Sequence, residues 1–253
     1  MPKFFIEPEQ IKEDKIIFEG KDVKHIKNVL RKKQGDTLFV GNKKSLESYL
    51  CEIDSFEQEK MIASIKEKRQ ERKNNIHITL FQGLPKADKM EQIIQKTTEL
   101  GIETIVPTQM KRAVVKLTEK EKLRKQQRWQ TIAEVACKQC GRNTIPTIQE
   151  VVPFSQAIER FPEYDVVLLA YEKEEKVTLK EQLQNIKKEA KQSLYIAIIV
   201  GPEGGLEPEE VEMLIQKGAK SITLGKRILR TETVGMLLTG ILMYELENEE
   251  ERK

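Results

Sequence analysis

Residues 195–205 read Tyr-Ile-Ala-Ile-Ile-Val-Gly-Pro-Glu-Gly-Gly. The unbroken apolar run Tyr195–Val200, rich in β-branched side chains, predicts a strand buried on both faces, because a half-exposed strand would alternate. Three glycines then allow positive φ and close backbone approach. Pro208 suits the first turn of a following helix, where a missing N–H costs nothing. Strand, glycine loop and helix make up the repeating unit of a parallel α/β sheet, whose ligands sit beyond the carboxyl ends of the strands. No Gly-Lys-Ser/Thr follows, so this is not a P-loop, and the spacing is not Gly-x-Gly-x-x-Gly. Glu203 would repel a triphosphate and tolerate a cationic or hydroxyl-rich ligand. The competing reading is a turn that only reverses the chain.

Outward from this loop the alternation continues. Ser221–Leu224 predicts a strand, and Leu224-Gly225-Lys226-Arg227-Ile228-Leu229-Arg230-Thr231-Glu232-Thr233 follows it. A helix over Val234–Leu246 comes next, with Leu237, Leu238, Ile241 and Leu242 inward and Thr231 or Thr233 as its cap. Two such loops at two strand ends could line one crevice. Against that stands a surface ion-pair cluster of Arg227, Arg230 and Glu232. The helix from Pro208 turns Val211, Leu214 and Ile215 inward and ends at Gly218. Asp165–Ala170 predicts a buried strand. Thr178 with Glu181, and Thr118 with Glu121, form capping boxes, and the helix opened by Thr118 runs to Gly141. Ile76–Phe81 and Thr104–Val106 flank a helix over Asp88–Leu100 closed by Gly101. Phe81–Lys86 is a third strand-end loop, from which Lys86 and Lys89 could reach phosphates.

The chain changes character before residue 74. Ile16–Phe18, Thr37–Val40 and Ser48–Ile53 predict short strands, with Tyr49, Cys51 and Ile53 on one face. Asp22–Lys33 has helical spacing. This reads as a small β-barrel or sandwich with one helix. Lys66–Asn75 has no apolar residue and is the candidate linker, which gives domains 1–70 and 74–248. An acidic tail follows Glu245.

Of the 253 residues, 44 are Lys or Arg and 41 Asp or Glu, a net charge of +3. The distribution is uneven: residues 111–142 hold ten basic and three acidic residues, a local +7 that leaves −4 elsewhere. Such an excess points to a polyanionic partner, nucleic acid first. No apolar run approaches the ~20 residues of a membrane span, and Met1–Phe5 does not open a secretory signal. Three cysteines point to a reducing, cytoplasmic setting. Cys137 and Cys140 form a CxxC near the C-terminal end of a helix, where no dipole lowers a thiol pKa, and zinc would need two further ligands. They read as packing residues, and no metal is expected. The two histidines, His25 and His77, leave no Ser-His-Asp or Cys-His nucleophile, and His25 reads as structural or RNA-facing.

Several segments together carry a resemblance that spans essentially the whole chain. They are HIKNVLRKKQGD (25–36), LPKADKMEQIIQKTTELGI (84–102) and RWQTIAEVACKQCGRNTIP (128–146), then IVGPEGGLEPEE (199–210) and LGKRILRTETV (224–234). The last pair, in that order near the C-terminus, is highly specific. The chain resembles the bacterial ribosomal RNA small-subunit methyltransferase E family of the SPOUT class, which methylates N3 of a uridine in small-subunit (16S) rRNA. The resemblance implies a PUA-like first domain that docks RNA and an α/β methyltransferase domain with a trefoil knot. It implies S-adenosylmethionine held by Leu169, Val200, Gly201, Pro202, Glu203, Gly204, Gly205, Leu224, Gly225, Ile228, Leu229 and Arg230. It also implies a homodimer with each site at the subunit interface. The family often has Arg-Ser where this chain has Arg112-Ala113, and Glu-Thr-Ala where it has Glu232-Thr233-Val234.

The implied reaction is displacement at a sulfonium methyl by an imide nitrogen that must lose its proton. Arg230 is expected to bind the target phosphate or steady the uracil oxygens. Glu232 is the first candidate to orient that arginine or take the proton, and Glu203 the second. Arg31, Lys86, Arg112, Arg124, Lys125, Arg128 and Arg142 are expected to hold RNA, in the assembled subunit. Two rival readings remain. One is a non-catalytic RNA-binding or ribosome-associated factor, against which both intact loops count. The other is a methyltransferase of the same class acting on a different RNA.

Overall fold

A computed structural model of the protein describes residues 3–70, 74–189 and 191–247. It divides into two units, Met1–Lys73 with Val135–Ile145, and Asn74–Glu134 with Pro146–Lys253. In the first unit the strands are β1 (Lys3–Ile6), β2 (Ile11–Lys12), β3 (Lys15–Glu19), β4 (Thr37–Asn42), β5 (Glu47–Glu57) and β6 (Lys60–Gln70). They form one sheet in the order β1-β4-β5-β6-β3-β2. β5 alternates as its sequence demands: Tyr49, Cys51 and Ile53 are buried against Phe4, Phe18, Val40 and Met61.

Three expectations change in this unit. The helix predicted over Asp22–Lys33 is only α1 (Lys21–Lys24) plus a π turn, His25–Val29. Arg31 at φ 54° stops it, and Val29 is exposed while Val23 and Ile26 are buried. The candidate linker begins inside β6, because Leu50 to Glu47 pair through the backbone with Glu67 to Gln70 and need no apolar side chains. Residues 71–73 lie outside the described residues. Val135–Ile145, which the sequence leaves in the second domain, belongs to the first. There Lys138 pairs with Asp22 at 2.7 Å and lies over the Phe4 ring, and Lys3 bonds Asn143. The amphipathic spacing of the long helix runs through residue 134 unbroken, so nothing in the pattern marks the change.

The second unit is built on parallel strands: β7 (Ile76–Gly83), β8 (Thr104–Gln109), β9 (Thr147–Ile148), β10 (Val152–Pro153), β11 (Val166–Ala170), β12 (Leu194–Val200) and β13 (Lys220–Ile222). Their order is β10-β8-β7-β12-β11-β13, with β9 on β8. The helices are α2 (Lys89–Glu99), α3 (Glu119–Cys140), α4 (Phe154–Ile158), α5 (Leu179–Lys188), α6 (Pro208–Gln216) and α7 (Thr231–Leu246). The 195–205 reading holds from Ile196 onward: β12 is central and its Ile196–Val200 are buried, whereas Tyr195 is 43% exposed and stacks on His77. Alternate residues face opposite layers. Ile196, Ile198 and Val200 join Leu80, Leu168, Ile94 and Leu238 in one core, whereas Ala197 and Ile199 join Leu169, Leu206 and Leu214 in the other. The capping box of α5 is formed, with Thr178 accepting from the Glu181 N–H. Two inward assignments fail, since Ile215 is 51% and Leu237 38% exposed. Each lies one position beside a fully used stripe residue, so its side chain falls outside a stripe about 100° wide. The acidic tail beyond residue 247 lies outside the described residues.

The connections decide where a ligand can sit. From β7 the chain crosses through α2 to β8 on one side; from β12 it crosses through α6 to β13 on the other. The carboxyl ends of β7 and β12, which are adjacent, form the switch point of the sheet, but there Gly83 and Pro202 close on each other and the open space lies on the β11 side of β12.

Candidate active site

A cavity of about 970 Å³ opens at the carboxyl ends of β11, β12 and β13. The loop after β12 and the loop after β13 form two of its walls. Val200, Gly201, Pro202, Glu203, Gly204, Gly205, Leu224, Gly225, Ile228, Leu229 and Arg230 all line it. Leu169 does not. It is fully buried in the opposite core, and Ala170, one residue on and therefore on the other face of β11, takes the place expected of it. The third wall is the loop after β11, with Tyr171, Glu172, Glu174 and Glu175. The sequence reading passed over this segment, although it also follows a buried strand.

Close contacts hold the glycine loop. A Cβ at Gly83 would lie 2.6 Å from the Pro202 nitrogen, so the end of β7 and the loop touch backbone to backbone. Beside this contact Gln82, fully buried, donates to Thr231 Oγ1 at 2.9 Å, and Thr231 donates to the Gly201 carbonyl at 2.6 Å. Thr231 is thus not the cap of α7. Arg230 occupies the N-cap position, and Thr231 is the first helical residue with its hydroxyl turned to the loop. Thr231→Val should leave both Gln82 Nε2 and the Gly201 carbonyl short of a partner. Burying such groups costs ~1–3 kcal/mol each, so a fall in thermal midpoint is expected, with Thr231→Ser restoring it.

Charge is organised around Lys89. Its ammonium lies 3.0 Å from Glu203 Oε1 and 3.2 Å from Glu232 Oε2, which bridges the glycine loop to the first turn of α7. Glu232 therefore faces Lys89 and does not orient Arg230. Arg230 is exposed at the cavity and has no ion-pair partner among the described residues. Burial pushes the Glu203 carboxyl up, but its own N–H, the Lys86 N–H at 3.0 Å and Lys89 together hold it below the usual carboxylate range. This stabilisation is present above the ordinary carboxylate pKa and is lost as pH falls through the lowered one. Lys89 is raised in turn, first by its bond to Glu203.

Arg112 donates to the Gly204 carbonyl at 3.2 Å and to Glu207 at 3.0 Å. Lys86 is exposed, and it is its backbone that reaches Glu203. On α3, Arg124 is exposed, Lys125 lies over the Trp129 ring, and Arg128 pairs with Glu91. In the first unit, Arg31 is exposed and Arg142 half-buried. Cys137 is buried, but Cys140, the last residue of α3, is exposed and is not the packing residue expected. Among the described residues no group of His, Cys, Asp and Glu could hold a metal ion, and no helix is long and apolar enough to cross a membrane.

Parallel strands and a glycine-lined cavity at their carboxyl ends, ringed by Lys89, Lys226, Arg227 and Arg230 and by Glu172, Glu174, Glu175 and Glu203, describe the class, and the chain matches it. Residues 72–243 match the RNA methyltransferase domain family, and residues 18–55 the RNA methyltransferase PUA domain family. The chain is 36% identical over 251 residues to the ribosomal RNA small subunit methyltransferase E of Bacillus subtilis, covering 98% of both chains. Among solved structures, the enzyme of that name from Neisseria gonorrhoeae, bound to S-adenosyl methionine, is 27% identical with a TM-score of 0.83, covering 96% of this chain and 97% of that one. A Legionella pneumophila methyltransferase in complex with the same cofactor has the same identity and TM-score, with 96% of each chain covered. The chain belongs to the ribosomal RNA small subunit methyltransferase E family.

Proposed function

We propose that this protein transfers a methyl group from S-adenosylmethionine to N3 of a uridine in small-subunit ribosomal RNA, acting as a cytoplasmic homodimer on the assembled subunit. The observation that carries this reading is the single cavity made by the Val200–Leu206 and Leu224–Arg230 loops, with Arg230 on its rim. The residues suit the donor. Gly205 at φ 70° and Gly225 at φ 105° take backbone shapes that side chains rarely adopt, and a Cβ at Gly205 would meet Glu172 Oε1 at 3.0 Å. Glu172, Glu174 and Glu175 favour a cationic, hydroxyl-bearing ligand. With this reading goes the trefoil knot in the C-terminal part of the second domain.

When bound, the donor supplies an electrophilic sulfonium methyl. The chain's own residues do the rest. The two loops fix the donor's position, since much of the gain in such a displacement is alignment. Arg230 holds the target phosphate or the uracil oxygens as negative charge develops on them. The imide proton must leave, and Glu232, 15% exposed beside Lys89, is its acceptor. Glu203, bound by two backbone N–H groups and Lys89, braces the loop. The uridine must be unstacked for N3 to be reached. Leu100, just past α2, and Leu237 and Tyr244 on α7, all exposed, support a face that a second copy covers.

Two measurements test this. Labelled donor and small subunits lacking the modification should give label at one uridine N3; label at another atom or on another RNA would overturn the assignment. Charge reversal at Arg124 and Lys125 should flatten the dependence of log affinity on log salt by about 1.5, as expected for two lost phosphate contacts. An unchanged slope would mean that this face does not touch RNA.

A further inference from the structure

A second cavity, of about 560 Å³, opens beyond the carboxyl ends of β8 and β10 and belongs to no part of the donor site. Its floor is apolar, with Met110 buried, Phe154 half-buried and Met213 40% exposed. Lys111, Lys116 and Lys122 stand at its mouth, and Gln109 brings an amide to its wall. The carboxylates there are committed. Glu210 accepts the N–H groups of Lys111 and Glu207 at 2.9 and 3.0 Å, and Glu209 lies 3.6 Å from the Lys111 ammonium. Lys122 pairs with Glu119. Lys116 is exposed and has no ion pair among the described residues.

An apolar slot, a free cation at its lip and an amide able both to donate and to accept match one ligand chemistry well: a planar heterocycle carrying a phosphate. The size falls in the range of small-ligand pockets. The surroundings favour RNA as the source, because residues 111–134, the part of the basic segment in this unit, hold eight basic and three acidic residues. The position is also telling. Arg112, next to Lys111 on the cavity wall, bonds the Gly204 carbonyl of the donor loop, so the two cavities are held in fixed register.

We infer that this cavity holds an unstacked nucleotide of the RNA substrate, neighbouring the one that is modified. Its base lies on the Met110–Phe154–Met213 floor and its phosphate meets Lys116. The inference rests on the reading of RNA as substrate, and it adds a second base contact beside the reacting one. Single-stranded RNA is recognised in this manner, by bases turned out onto apolar or aromatic side chains.

The test uses the full chain without donor and two fluorescein-labelled probes: a uridine dodecamer and an abasic ribose-phosphate dodecamer. Wild type should bind the uridine probe about tenfold more tightly, the size of one stacked base. Ser155→Trp, placed at an exposed position on the cavity wall, should plug the slot and lower this preference to what the reacting site alone contributes. Lys116→Glu should weaken both probes severalfold. Calorimetry with S-adenosylmethionine should give wild-type affinity for both variants, which shows that the fold and the donor site are intact. No preference in wild type, or a full preference in Ser155→Trp with unchanged binding by Lys116→Glu, overturns the inference. Failure of wild type to bind the donor would count against the methyltransferase reading alone, since the RNA measurements do not involve it.

Discussion

Replacing Arg230 by alanine is expected to lower methyl transfer by ~10²–10³-fold, the loss typical of removing one donor to a developing oxyanion. The structure explains why the loss should fall on chemistry and not on folding. Arg230 is exposed, and its side chain has no ion-pair partner among the described residues. Its backbone caps α7 whatever the side chain, accepting the N–H groups of Thr233 and Val234 at 2.8 and 3.2 Å. Single-turnover transfer from labelled donor to small subunits measures the effect, and calorimetry with the donor alone should show at most a few-fold change. Full activity in Arg230→Ala would remove the residue from the mechanism. Equal losses in transfer and donor affinity would reassign it to donor binding.

The largest structural effect is expected at Gly83, which lies outside the cavity. Its added methyl group in Gly83→Ala would sit 2.6 Å from the Pro202 nitrogen, 2.7 Å from Pro202 Cδ and 2.8 Å from Met110 Sδ. Two of these atoms belong to a proline ring and its backbone, so they cannot swing aside as a flexible side chain would. The loop between Gly201 and Gly205 must shift, and with it the Thr231 hydroxyl bond to Gly201. Overpacking of this kind costs ~1–3 kcal/mol. The thermal midpoint should therefore fall by several degrees, and donor affinity by more than tenfold. Gly218→Ala, outside the cavity, is the control: its Cβ meets nothing within 4 Å, so only the left-handed backbone at φ 94° is strained. A Gly83→Ala protein with native donor affinity would show that the loop tolerates displacement, and the backbone contact would lose its assigned importance.

The second unit is legible in the sequence to an unusual degree, for a physical reason. Strands buried on both faces write themselves as continuous apolar runs, and the loops that follow them must be rich in glycine where backbones approach closely. Tyr195–Val200 with Gly201–Gly205 carries both signals, whereas Leu224–Arg230 offers one glycine, at φ 105°, after a short strand. Leu169 shows the limit of such reading. A two-residue period puts neighbouring side chains in opposite layers, and position in a motif does not say which layer faces the ligand. Lys89 shows another limit. Its partners Glu203 and Glu232 lie more than a hundred residues away in sequence, and no local pattern predicts that one ammonium joins two loops. The glutamates after β11 were accessible to the same rule that found the other loops, but they lack the glycines that draw attention. The first unit was harder to read. Its β6 end is held by a hydrogen-bond ladder whose side chains are all polar, and residues 135–145 join that unit without any change in helical spacing.

The link from Gln82 through Thr231 to Gly201 has a bearing on how the protein comes into being. Gln82 leaves the exit tunnel about 150 residues before its partner. A nascent chain can pair β7, β8, β11 and β12 while Gln82 is still alone in a closing interior, and the loop at Gly201 stays unanchored until α7 emerges. Competence to bind a ligand thus waits on Thr231, and a chain that stops before it would be a sheet without a grip.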